Sequence, residues 1–259
     1  MKKIIHLSDI HVGYRDMRER FQEIARNLIA KAQPASDYVV VITGDLVEKP
    51  EDDTRQYQAI YDVIENLKRA GFTMLMVPGN HDYNDGLVLA EKFVQRFKET
   101  FFADASVTYP KVDLIGGIAF LGLDTMAEEL HWYDRLFADG ELGAAQLQRL
   151  DSLLADSTVA GCAHQVVYMH HHPFDPLPLS QLKDSEKLHR VLDKHGNVDV
   201  LLFGHKHFGR VRNGGWGIPR CYDGGTATGK KPGVVRHRVI DFALSPDQDH
   251  EVKLFDVED

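Results

Sequence analysis

At 259 residues, with 43% hydrophobic and 27% charged residues, the chain has the composition of a globular protein with a substantial core, and nothing in it reads as a linker, so one domain over residues 1–259 is expected. No apolar run approaches the ~20 residues of a membrane span, and MKKIIHLSDI is interrupted too early, at His6, Ser8 and Asp9, for a signal-peptide core; a cytoplasmic protein with no membrane contact is the expectation. The formal net charge of -9 argues against a long basic surface that grips nucleic acid, and two cysteines without CxxC spacing, Cys162 and Cys221, argue against a disulfide framework or thiolate zinc site and are expected to be buried thiols.

In chain order, the first strand-like run, KIIHLS, ends in Asp9-Ile10-His11 and is followed by helical spacing at Phe21, Ile24 and Leu28. YVVVIT then ends in Gly44-Asp45 and precedes a second helical stretch through Tyr57, Ile60, Ile64 and Leu67. TMLMVP ends in Gly79-Asn80-His81-Asp82, and IAFLGL precedes a helix through Leu147, Leu150 and Leu154. QVVYMH ends in His170-His171-His172 and is followed by a helix through Leu188, Val191 and Leu192, which is expected to stop at a capping glycine, Gly196. VDVLLF ends in Gly204-His205-Lys206-His207. This alternation predicts a largely parallel, buried sheet with helices outside. After residue 210 the pattern changes to glycine-rich turns and the runs VVRHRVIDFAL and HEVKLFDV, which predict added antiparallel strands and, through them, a second sheet.

Five of the six runs therefore finish in residues that ligate metals. The carboxyl ends of parallel strands lie along one edge of an open α/β sheet, so residues remote in sequence converge there. A single Asp after a strand is usually a turn or cap residue; recurrence at five strand ends argues otherwise. Asp-x-His and His-x-His put paired side chains on one face of an extended segment. Two aspartates, an asparagine and four histidines exceed what one ion with an open position needs, which implies two metals, and oxygen and imidazole donors without thiolate suit Mn, Fe, Zn, Co or Ni. Between Lys206 and Arg238 eight basic residues face the single acid Asp223, an excess that can attract an anionic substrate.

In these blocks the sequence resembles the calcineurin-like metallophosphoesterase superfamily: DIH, GDLVE, GNHD, HHHP and GHKH stand in the family's order from residue 9 to residue 207. The resemblance implies an α/β fold, a four-layer αββα sandwich with two mixed central sheets flanked by helices. It implies one metal held by Asp9, His11, Asp45 and His207 and a second held by Asp45, Asn80, His171 and His205, with Asp45 bridging, as two divalent or mixed-valence ions. Within the histidine run the family's H-H-P turn points to His171, with His170 facing away and His172 at the turn. The implied chemistry is phosphoester hydrolysis by a metal-bridging hydroxide attacking phosphorus in line, with catalytic roles for His81, which stabilises charge or protonates the leaving oxygen, and for Asp82, which supports His81 or caps a helix.

GDLVEKP and GNHD depart from the GDxVDRG and GNHE of phosphoprotein phosphatases. GELGAAQLQRLDSLLADS and DGGTATG are similar instead to the branch of class III cyclic-nucleotide phosphodiesterases and glycerophosphodiesterases. Small phosphodiesters such as cyclic nucleotides are the expected substrates; a phosphomonoesterase, a nuclease and a non-catalytic scaffold of the same fold are the alternatives. Residues 83–110 are expected to form a lid, and PFDPLPLSQLKD, residues 173–184, a wall of the substrate pocket.

Overall fold

A computed structural model describes residues 2–49, 55–83, 91–126, 139–175, 181–229 and 237–249. Strands β1 (Lys3–Leu7), β2 (Tyr38–Thr43) and β3 (Thr73–Val77) alternate with helices α1 (Met17–Lys31) and α2 (Arg55–Arg69). After the short α3 (Asn80–Tyr83) and α4 (Glu91–Phe102) come β4 (Lys111–Ile115), β5 (Ile118–Gly122), α5 (Ala144–Ala155), α6 (Ser157–Ala160), β6 (His164–Tyr168), α7 (Ser185–His195) and β7 (Val200–Phe203). β8 (Arg220–Asp223) and β9 (Arg238–Ile240) follow.

The strands form two sheets, ordered β3-β2-β1-β9 and β4-β5-β6-β7-β8. Each is parallel apart from one edge: β9 runs antiparallel to β1 and β4 antiparallel to β5. Side chains alternate across each strand, and here both faces are apolar. Ile5, Val40 and Ile42 pack under α1, α2 and α4 with Phe21, Ile60 and Phe97. Ile4, Val39 and Val41 turn the other way, onto Phe120, Val166 and Leu202 of the second sheet. Ala119, Val167 and Leu201 pack under α5 and α7 with Leu150 and Leu188. Three apolar layers between four structural layers make the αββα sandwich.

Several expectations are corrected. The second sheet is not a late antiparallel addition: it is built mainly on parallel β5 to β8, and the late run around Val239 joins the first sheet instead. Lys111–Ile115 and Arg220–Asp223 are strands that short, partly polar sequences concealed. HEVKLFDV lies outside the described residues. Where a lid was expected, α4 instead buries Phe93, Val94, Phe97 and Phe101, so this part of residues 83–110 belongs to the core; residues 84–90 lie outside the described set. Cys221 is buried, whereas Cys162 is only partly so. Gly196 ends α7 as expected, with φ +59° and its N–H donating to Leu192 O.

Candidate metal centre

The loops that leave β1 and β2 are tied to each other by their backbones, and so are those that leave β6 and β7. Asp9 N donates to Gly44 O (3.1 Å), Ile10 N and His11 N to Asp45 O (2.9 and 3.0 Å), and Gly204 N to His170 O (2.9 Å). A late turn locks the first loop further: Ala227 N donates to Ser8 O (2.7 Å), Thr226 Oγ1 to Asp9 O (3.1 Å) and Thr228 Oγ1 to Ile10 O (2.9 Å). Within this frame Asp9, His11, Asp45, His205 and His207 all have φ between +51° and +73°. Non-glycine residues rarely adopt this region, and when several do so in one place the surrounding structure is holding them there.

Among the described residues three groups of ligand-type side chains result; one of them, His11, Glu48 and His81, shares His11 with the first group below, and the other two share Asp45. In the first, the ligand-type atoms of Asp9, His11, Asp45 and His207 lie within 4.8 Å of one another. His207 Nε2 is 2.8 Å from Asp9 Oδ1 and 3.1 Å from His11 Nε2, and His11 Nε2 is 3.7 Å from Asp45 Oδ2. In the second, His170 Nε2 lies 3.4 Å from Asp45 Oδ2 and 3.0 Å from Asn80 Oδ1, while His205 Nδ1 lies 3.1 Å from Asn80 Oδ1 and 3.3 Å from His170 Nε2. Asp45 belongs to both groups and is almost completely buried.

The histidine of the second group is His170, where His171 was expected. The reason is strand alternation. Val166 and Tyr168 face the core between the sheets, and Val167 and Met169 face the helices. His170 continues the inter-sheet side and so meets Asp45 from the opposing sheet. His171 turns to the helix side, with Nδ1 2.7 Å from Thr125 Oγ1, and its ring stacks at a tilt on His205 with centroids 4.5 Å apart. His172 is buried against Phe203 and Phe174, and burial pulls it down to about 4, which keeps it neutral.

His81 opens α3 beside this centre, with its N–H donating to Asp45 Oδ1 (2.9 Å) and its ring edge-on to His11 at 4.9 Å. Its Nδ1 is held by Glu48 O at 2.7 Å. Asp82 does not take the imidazole-supporting place expected of it. Its carboxylate accepts from Leu46 N (2.9 Å), Val47 N (3.1 Å) and Gly79 N (2.8 Å), tying the loop after β2 to the turn after β3. Burial and the neighbouring Asp45 push this carboxyl up to about 7. Glu48 was missed as a site residue: its Oε2 lies 2.8 Å from His11 Nδ1. An acid three residues after Asp45 was the available signal, but in isolation it reads as a surface residue.

Burial opposes charge on Asp45, and the nearby His170 and His81 outweigh it, holding the carboxyl well below its usual range. Asp9 is likewise lowered despite burial, chiefly by His207. His170 rises to about 9, because Asp45 and Asp9 overcome its burial. Carboxylates that force a proton onto a buried imidazole form an environment that favours a cation. The ring orientations fit the same purpose: His170 Nδ1 is held by Thr43 O (2.7 Å) and His11 Nδ1 by Glu48, which keeps a hydrogen on each Nδ1, so that Nε2 is the inward nitrogen whose lone pair is available to a cation that displaces the proton. Inward lone pairs from histidine, carboxylate and amide oxygen are the donor set of a divalent metal.

Of the basic run, Lys206 pairs with Asp175 at 3.1 Å, and Arg220 with buried Asp249. Arg210 lies over the Phe208 ring at 4.6 Å. Part of the local positive excess is thereby neutralised within the fold. Residues 176–180 of the expected pocket wall lie outside the described set. Among the described residues no helix is long and apolar enough to cross a membrane.

Comparison with known proteins places the chain in a family. A probable cyclic nucleotide phosphodiesterase of Vesicomyosocius okutanii is 23% identical over 211 residues, covering 79% of this chain and 78% of that protein. The DNA double-strand break repair protein Mre11 of Aeropyrum pernix is 31% identical over 87 residues, 32% of this chain and 21% of that one. The crystal structure of a dimetal phosphatase from Danio rerio superposes with a TM-score of 0.67 at 14% identity, covering 92% of this chain and 91% of that chain. The model of the calcineurin-like phosphoesterase family matches residues 2–209, and the chain belongs to that family of phosphoester hydrolases.

Proposed function

We propose that this protein is a dinuclear phosphodiesterase acting on small phosphodiesters such as cyclic nucleotides. The observation that carries the reading is the sharing of buried Asp45 between two groups of inward-facing donors. Asp9, His11, Asp45 and His207 would hold one ion, and Asp45, Asn80, His170 and His205 the other. Bound divalent ions supply Lewis-acid charge for phosphoryl oxygens and make water nucleophilic at neutral pH. The protein's part is to fix the ligands: Glu48 orients His11, Thr43 orients His170, and Asp82 fastens together the loops that carry Asp45 and Asn80. His81 keeps its Nδ1 hydrogen on Glu48 O, so Nε2 is the atom that, in the protonated ring, would give its proton to the departing oxygen and be left as a neutral imidazole nitrogen.

The preference for small diesters is supported by the net charge of -9, which disfavours long polyanions, and by the likeness to a probable cyclic nucleotide phosphodiesterase. Manganese-reconstituted protein, assayed on cyclic nucleotides, glycerophosphodiesters, an aryl phosphodiester and an aryl phosphomonoester, tests it. Faster turnover of the diesters, with cyclic nucleotides among the substrates, is expected; turnover confined to the monoester rejects the substrate class.

The assignment within the histidine run has its own test. His170→Ala is expected to lose one metal equivalent and most turnover, because its Nε2 lies between Asp45 and Asn80. His171→Ala is expected to retain both equivalents. The reverse pattern, read by metal analysis of the two purified variants, would restore His171 as the ligand.

A further inference from the structure

A polar chain runs behind the centre from the buried strand interior to Asp9. His6 Nε2 lies 2.9 Å from Thr43 Oγ1, Thr43 Oγ1 donates to Ser8 Oγ at 2.8 Å, and Ser8 Oγ donates to Asp9 Oδ2. All four residues are fully buried. Hydrogen counting fixes the direction. The Asp9 carboxylate can only accept and makes by far the shorter contact, so the single hydroxyl hydrogen of Ser8 goes to it rather than to Thr43 O at 3.2 Å. Ser8 Oγ therefore accepts from Thr43, and Thr43 Oγ1 in turn accepts from His6 Nε2–H. This tautomer leaves His6 Nδ1 as a bare lone pair, and that atom has no hydrogen-bond partner. Burial and the nearby Arg238 lower the ring to about 3, so His6 stays neutral and the direction does not reverse.

The far end of the chain selects between the two oxygens of Asp9. Oδ2 is occupied by Ser8 and by His205 N at 3.1 Å. Oδ1 is left facing His207 and His11. Thr43 also reaches the second group, because its carbonyl oxygen holds His170 Nδ1. One residue at the end of β2 thus touches a candidate ligand of each group, through its hydroxyl on one side and its carbonyl on the other.

The space around the chain is closed by glycine. A Cβ on Gly204 would lie 2.0 Å from Ser8 Oγ and 2.6 Å from Asp9 Oδ2, and one on Gly224 would lie 2.6 Å from Ser8 Cβ and 2.9 Å from His6 Nε2. No side chain fits at either position without displacing the chain, so backbone packs directly onto it.

We infer that His6, Thr43 and Ser8 are positioning residues that present Asp9 through one fixed oxygen, so that the Thr43 hydroxyl sets metal affinity at the Asp9 group while the Thr43 carbonyl orients the other group. The inference rests on the proposed ligand roles of Asp9 and His170. Thr43→Val separates the two functions, since it replaces the hydroxyl with a methyl of similar size and keeps the carbonyl. Calorimetric titration of metal-stripped protein with manganese is expected to show one of two equivalents weakened about 10–100-fold, the range for lost outer partners of a ligand, and the other unchanged. Thr43→Ser is expected to restore the weakened equivalent. If Thr43→Val does not fold, Ser8→Ala, which removes the link next to Asp9, has to give the same selective loss. Unchanged binding of both equivalents in Thr43→Val and Ser8→Ala, or a loss that Thr43→Ser does not repair, overturns the inference. Wild-type protein that binds no manganese would instead overturn the metal reading beneath it.

Discussion

Asp45→Ala is expected to abolish phosphoester hydrolysis and metal binding at both groups together, the largest effect of any single substitution in this chain. Among the described residues Asp45 is the side chain that the Asp9 group and the His170 group share. Asp45 Oδ2 lies 3.7 Å from His11 Nε2 and 3.4 Å from His170 Nε2, and Oδ1 accepts the N–H of His81. Its loss removes the charge that balances two ions and frees the backbone that carries His81. The variant should still fold without metal, because burying a carboxylate is itself costly and the cores on either side of the sheets do not use it. The check is a melt with and without manganese. A wild-type site saturated at 100-fold its Kd gains about 2.7 kcal/mol; the variant is expected to gain nothing. A variant that keeps one tight equivalent would mean that the groups do not depend on a shared Asp45.

His81→Ala is expected to lower turnover by roughly 10²–10⁴-fold, the usual worth of a positioned acid or base, while metal content stays at the wild-type level. The separation follows from geometry: His81 stands edge-on to His11 and is held through Nδ1 by Glu48 O, outside both donor groups. Leaving-group dependence distinguishes its two possible contributions. If Nε2 delivers a proton to the departing oxygen, the loss is larger for an alkoxide leaving group than for a nitrophenolate, which departs without help. A loss equal for both leaves only charge stabilisation, and unchanged turnover removes His81 from the reaction.

Much of the centre was legible because ligand-type residues recur at strand ends, and parallel strands bring those ends together. What the sequence did not reveal was direction within a strand. The stretch from Gln165 to His170 is buried on both faces, so the polar alternation that normally marks an inward side is missing. Alternation puts Tyr168 and His170 on one side, but only the opposing sheet decides that this is the side facing Asp45, and its partners lie 90 and 127 residues away in the chain. Asp82 misled for a related reason. Its neighbour His81 suggested a carboxylate–imidazole pair, whereas the tight α3 turn aims the carboxylate back at the amides of Gly79, Leu46 and Val47. The second sheet was misassigned because β4 and β8 are short and mixed in polarity, so they carry little periodic signal, and pairing to long-range neighbours is what makes them strands.

The shared centre is tested most directly by counting manganese ions bound per chain in metal-stripped wild-type protein while following hydrolysis of an aryl phosphodiester across the same titration. Two equivalents are expected, with hydrolysis rising as the second one fills. A chain that takes up no manganese, or that takes up two equivalents and hydrolyses no phosphoester, would contradict the dinuclear phosphodiesterase built on Asp45.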